Sequence, residues 1–262
     1  MNGCQIKNLS LSIFWTFLAS VQVCIASNAA TPTLLYHHRS GSTAPFAYAA
    51  PTKGVIGAFP DIVSHLLQPM GYRVLVHHTP EARIYSEMSA GRGDLLLVTT
   101  QKGLGVDDYP PNIMVCPSVI GRIPIALYFL SKSAVDRPIA EMHIGAIRLA
   151  SFKRSLSRDL QLKNITRFSS NEQVFKALLT ERIDAAISDP YTMKSLSLTL
   201  QRPLPIPLVD LGAVTAYIGL SKTTEERYGI FDELCRQAAI WEGQGRFPEF
   251  LVPHLQPAVQ SQ

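Results

Sequence analysis

The sequence has no HExxH, no CxxC and no His/Cys cluster at ligand spacing, which argues against a structural zinc module or a zinc peptidase. It has no G-x-S-x-G, so the strand-turn-helix nucleophile of the serine hydrolases is missing. Runs of Lys and Arg are missing too. The densest basic stretch, "SFKRSLSR" (151–158), reads as a solvated helix start, and a formal net charge of +4 is too small to imply a nucleic-acid partner. His37-His38 and His77-His78 are adjacent pairs. Strand neighbours point to opposite faces, so neither pair forms a chelating face by itself. No metal or cofactor is expected. After residue 30, no stretch reaches the ~20 apolar residues that a membrane span needs.

Among the first thirty residues, Lys7 precedes the apolar "LSLSIFWTFLASVQVCIA", and small residues follow in "SNAA". This is the pattern of a cleavable secretory signal peptide over 1–30, with cleavage near Ala29 or Ala30. Lipidation is not expected, because Val23 precedes Cys24 where a lipobox takes Gly or Ala. The mature chain should be a soluble periplasmic monomer. Only Cys116 and Cys235 of the four cysteines remain in it. In an oxidising compartment the two could pair, but two separate buried apolar thiols are the preferred reading.

What remains is globular in composition, 47% hydrophobic and 17% charged, and long enough for one large domain or two small lobes. From residue 33, short apolar runs alternate with amphipathic segments. Strands are expected at 33–38, 72–78 and 94–100, with helices at 60–70 and 81–91 between them. That β-α-β-α-β order calls for a mostly parallel sheet. Residues 101–123 read as loop and 123–132 as a long strand. A second α/β run follows: strands 144–150, 165–169 and 184–188, and helices 151–162, 171–183 and 190–200. A strand at 214–222, one helix over 224–243 and a closing segment 245–255 complete the chain. No internal sequence repeat is evident. The expected fold class is α/β, with two mixed-sheet lobes joined by two hinge strands. A single doubly wound sheet is the alternative.

Six segments, in order, resemble the family 3 periplasmic solute-binding proteins: "APFAY" (44–48), "GVIGAFPDIVSHLL" (54–67), "SAGRGDLLLVTT" (89–100), "HIGAIRLASF" (143–152), "RIDAAISDPYTM" (182–193) and "WEGQGRFPEFL" (241–251). The resemblance implies the bilobed type II fold, with 31–124 plus 221–262 as lobe 1 and 125–220 as lobe 2. It also implies capture of a small charged solute in an interlobe cleft for ABC import or sensing. Expected partners are that solute and an inner-membrane permease or a sensor protein.

The resemblance places Asp189 in the cleft, where a carboxylate would accept hydrogen bonds from an ammonium group. Asp before Pro190 also suits a helix N-cap, and the two roles are compatible. Phe46 would offer a flat apolar face. Ser151 and Phe152 precede a helix whose free amides would attract a carboxylate. Thr99 and Thr100 end the first lobe's buried strand. The family's Arg after that strand is missing from "TTQKGLGVDDYP". Lys102 and Arg83 are the substitutes, and neither is an equal, since Lys lacks the planar fork and Arg83 reads equally as a solvated helix charge. No catalysis is expected. The competing readings are a dehydratase-like enzyme using Glu81, Asp189 and Lys102, and a sensor module with a degenerate cleft.

Overall fold

The computed structural model describes residues 31–39, 44–50, 54–100, 110–133, 137–147 and 164–255. The signal peptide expected over 1–30 and the helix expected over 151–162 lie outside them. Pro32–Gln262 forms one compact unit.

In the first half, strands β1 (Thr33–Arg39), β4 (Arg73–Thr79) and β5 (Leu95–Thr100) alternate with helices α1 (Ala58–Leu67) and α2 (Glu81–Ser89). β1 pairs in parallel with both β4 and β5. β2 (Tyr48–Ala50) and β3 (Gly54–Ile56) form a separate hairpin. In the second half, β8 (Ile144–Ile147), β9 (Ile165–Phe168) and β10 (Ala185–Ser188) carry helices α3 (Asn171–Leu179) and α4 (Pro190–Leu200). Here β8 pairs in parallel with both β9 and β10. Two long strands, β7 (Gly121–Phe129) and β11 (Ile206–Ser221), pair with each other and join the halves. The result is one mixed sheet in the order β4-β1-β5-β11-β7-β10-β8-β9, with the short β6 (Ile113–Val115) beside β11.

Each half therefore places its first strand in the middle, its second outside and its third inside, against an antiparallel connecting strand. An acid before each third strand locks that arrangement. The Asp94 carboxylate accepts from the Leu35 amide at 2.7 Å, while the Asp94 amide donates to Leu35 O. Asp184 does the same with His143. The repeat runs back through α2 and α3 at an offset of 90 residues. Ile84 matches Val174, Tyr85 matches Phe175, Met88 matches Leu178, Arg92 matches Arg182 and Asp94 matches Asp184. Because only Arg and Asp are identical among these pairs, the structure reveals what the sequence had hidden.

Four further features differ from expectation. β11 begins at Ile206, earlier than the expected 214; Pro207 and register shifts between Pro207 and Val209 and between Asp210 and Ala213 break the alternation that announces a strand. β6 forms inside the expected loop, as three residues paired to β11. The long final helix is interrupted. α5 (Lys222–Tyr228) stops at Gly229, whose left-handed φ of 60° ends a helix, and α6 (Phe231–Gln244) starts afresh with the Glu225 carboxylate accepting from the Phe231 amide. Finally, Cys116 and Cys235 form a disulfide, correcting the reading of two separate thiols. The paired Cα atoms are 5.1 Å apart across a sequence separation of 119. The loop after β6 meets the first turns of α6, a proximity that sequence spacing cannot report.

The main core lies where α1, α6 and α7 (Phe247–Leu255) cover the first half, with Leu34, Tyr36, Ile62, Leu66, Leu234 and Trp241 buried. It continues under the connecting strands through Ile123, Ile125 and Leu127 to Ile144 and Ile187. The opposite face of the first half packs Ile84, Met88, Leu96 and Val98, and the second half packs Tyr128, Phe175, Leu178 and Met193. Among the described residues, no helix is long and apolar enough to cross a membrane.

Candidate functional site

A cavity of about 160 Å³ lies off the carboxyl ends of the parallel strands of both halves. Such ends are where open α/β sheets bind ligands, because the strands stop and helices begin there. β1 contributes His37, His38 and Arg39; β5 contributes Leu97 and Thr99; β8 contributes Ile147; β10 leads into Ser188 and Asp189. The connecting strands supply Ile123, Ile125 and Val214, and the first turns of α2, α3 and α4 supply Tyr85, Asn171 and Thr192.

Asp189 is 8% exposed. The apolar run Ala185-Ala186-Ile187 is buried on both faces, so the strand delivers the carboxylate to the cavity edge from inside the protein. There it caps α4: one carboxylate oxygen accepts from the Thr192 amide at 2.8 Å, and Pro190 occupies the first helical position, where no amide is needed. Burial pushes the Asp189 carboxyl up to about 6, against the opposing effect of the Thr192 amide. Capping and cavity lining thus coincide in one side chain.

Phe46 is buried and stacks on Phe59 at 5.5 Å, with Tyr191 edge-on at 6.1 Å, so an aromatic wall spans both halves. Thr99 lines the cavity, whereas Thr100 is buried opposite Thr215 and lies off the described lining. Arg83 is exposed; the cavity is lined instead by its neighbours Ile84 and Tyr85. Lys102, Ser151 and Phe152 lie outside the described residues.

Sequence reading missed Arg39. A usable signal was present, because the apolar run of β1 ends in His-His-Arg before Ser and Gly, the same strand-end logic that singled out Asp189. The histidines beside it serve structure. His37 is held between Thr79 Oγ1 at 2.6 Å and Arg92 O at 2.9 Å. His38 Nδ1 lies 2.7 Å from the Tyr36 hydroxyl; burial, then the Arg39 and His78 charges, lower its pKa to about 3, so it is neutral at physiological pH. The parallel register sets His37 opposite His77 and His38 opposite His78. Even so, no group of three or more metal-ligating side chains occurs among the described residues.

No family model matches the chain, and no curated protein is detectably similar in sequence. Solved structures do resemble it in fold. A histidine kinase sensor domain with similarity to periplasmic binding proteins superposes with a TM-score of 0.64 at 13% identity, covering 86% of this chain and 98% of that one. An amino-acid ABC transporter substrate-binding protein from Streptococcus pneumoniae, bound to L-arginine, gives 0.64 at 14% identity over 85% and 94%. An ancestral amino-acid-binding protein described as a precursor of cyclohexadienyl dehydratase gives 0.58 at 16% over 86% and 96%. At these identities the likeness establishes architecture. The chain has the bilobed periplasmic-binding-protein fold.

Proposed function

We propose that the protein is an exported solute-binding protein that captures a small charged molecule between its two halves, for delivery to an importer or a sensor. The observation that carries this reading is the placement of the cavity. It lies between the strand ends of both halves, and the buried Asp189 carboxylate stands on its edge. A partly desolvated carboxylate is held there at a cost that a bound ammonium group would repay. Residues 31–124 plus 221–262 and 125–220 are the two lobes in this reading, with β7 and β11 as hinges that let them close. Residues 1–30 would direct the chain to the periplasm, and the working form would be a monomer. Phe46, Thr99 and Asp189 would contact the solute, and Lys102, Ser151 and Phe152 would complete the cleft. Both a transport protein and a kinase sensor domain share this fold, and it serves either use.

Thermal denaturation with amino acids, polyamines and small carboxylates tests the reading. A ligand at a hundred times its dissociation constant should stabilise the protein by about 2.7 kcal/mol, and silence from every class would remove solute capture. A dehydratase-like activity is the second reading. It is favoured by a carboxyl with a pKa of about 6, suited to proton transfer near neutrality. Turnover that vanishes in Asp189→Asn would establish it.

A further inference from the structure

We infer that the protein has a second ligand site, next to the cleft, that takes a small aromatic acid: a carboxylate on a flat apolar body. This does not depend on the solute-capture reading. A second cavity, of about 520 Å³, lies between the start of β7, the neighbouring part of β11 and the junction of α6 with α7. Pockets of ~300–1,000 Å³ are the usual size for small-molecule sites. Among the described residues, this cavity shares no lining side chain with the first one. Tyr191, in the first turn of α4, lines it and meets Phe46 of the cleft edge-on at 6.1 Å, so both halves of the protein contribute to it.

Two contacts hold the α6–α7 junction against β7. Trp241 Nε1 donates to Ile120 O at 2.8 Å, and the Phe247 ring lies so close to Gly121 that a Cβ there would stand 2.6 Å from it. The next residue is Arg122, so the chain at Arg122 passes beside the first turn of α7. That helix runs for nine residues, and its first amides have no acceptor within the helix, which favours an anion nearby. The cross-strand partner of Arg122 is Thr215, and Tyr217 follows on the same face of β11. All three line the cavity, and none of their side chains makes a hydrogen bond or ion pair with another described residue. Arg246 is different, because Glu249 holds it at 2.9 Å and it lies over the Trp241 and Phe250 rings. The one acid in the described lining, Glu242, is exposed. The donors therefore outnumber the acceptors. A carboxylate suits the Arg122 guanidinium, which presents several donors in a plane, while Val119, Ile120, Trp241 and Phe247 offer apolar surface to a ring.

Isothermal titration near neutral pH with benzoate, phenylacetate and 3-phenylpropanoate tests the inference. Inorganic phosphate serves as an anion without a ring, and benzyl alcohol and benzylamine as rings without an anion. The expected result is that one of the acids binds at least about tenfold tighter than every control, and that Arg122→Gln weakens it about tenfold or more. Arg122 is exposed, so the fold should survive that change. Trp241 and Trp15 are the two tryptophans of the chain. With Trp15→Phe, emission comes from Trp241 alone, and it should change over the same concentrations as the heat. The inference is overturned if no acid binds, if a control binds as tightly, if Arg122→Gln keeps the wild-type affinity, or if Trp241 emission does not follow the isotherm. Each of these outcomes leaves solute capture standing, since a solute held in the cleft should bind Arg122→Gln and the wild type alike.

Discussion

The two halves of this protein share a strand order and an acid that locks it, yet they end their strands in different chemistry. In the first half β1 ends in Arg39, and Thr99 is the last but one residue of β5. At the matching positions the second half has Ile147 and Asp189. Asp94 and Asp184, five residues before Thr99 and Asp189, make the same two bonds to the first strand of their own half. The repeat thus preserves what builds a half and varies what faces the cavity. Packing is repeated with the sizes exchanged. In the first half His37 lies against Gly93, leaving no room for a Cβ there; in the second, the position matching His37 is Gly145, and Ile183, which matches Gly93, fills the space above it. Close packing constrains the volume of the pair rather than the identity of either member.

The largest expected effect breaks the independence of the halves. Cys116 and Cys235 both anchor in the first half, and the chain between them contains the whole second half. Opening a loop of that length should cost about 4–5 kcal/mol in the chain-entropy model, read as a lower urea midpoint in reductant or in Cys116→Ser/Cys235→Ser. An unchanged midpoint would mean that the bond constrains nothing in the unfolded chain.

Next in size is the cost of the buried acid that only the second half carries. The folded Asp189 carboxyl, at about 6 against an ordinary 3.8, holds its proton more tightly than the unfolded chain does. Stability of the ligand-free protein should therefore fall as pH rises from about 4 to about 6 and level off above. Asp189→Asn should remove that slope and raise stability at pH 7.5 by roughly 2–3 kcal/mol, whereas Thr99→Ala leaves the slope in place. A parallel pH profile for Asp189→Asn and the wild type would show that the carboxyl is not desolvated as described.

Replacing the two locking acids should separate them. Asp94 also accepts from the Thr224 hydroxyl at 2.6 Å in a part-buried setting, whereas the second partner of Asp184 is the exposed Arg137. Asp94→Ala is expected to cost about 2 kcal/mol and Asp184→Ala about 1, by chemical denaturation. Equal costs would mean that the Thr224 bond contributes nothing.

The smallest effect is at the turn after each matching helix. Gly91 has φ 67°, and its counterpart Glu181 holds the same left-handed conformation at 55°. Glu181→Gly should stabilise by ~0.5–1 kcal/mol, since only glycine enters that region without a steric cost. Destabilisation instead would give the Glu181 side chain a role in the fold.

Much of this fold is legible in the sequence where a pattern is local. The apolar runs at 33–38, 94–100 and 184–188 and the stripe through Ile62, Val63, Leu66 and Leu67 announce β1, β5, β10 and α1 because alternation and helical period follow from backbone geometry alone. The first part of β11 is not legible, because Pro207 and Gly212 interrupt its period and pairing with β7 overrides them. The 90-residue repeat escapes notice because it conserves a turn and a hydrogen bond while its side chains diverge. At the site, Asp189 is legible from an apolar strand stopping at Asp-Pro. Arg39 ends a strand in the same way, but its value depends on which strands lie beside it.

By itself, the sequence determined the elements, their α/β alternation and the carboxylate at the end of β10, since each is written in residues close together along the chain. Only the tertiary structure decided that Cys116 meets Cys235, that β7 and β11 join two topologically matched halves into one sheet, and that Arg39 and Asp189 face a common cavity across an apolar floor. Those relations connect residues far apart along the chain. They are set by strand pairing and close packing, which no local spacing encodes.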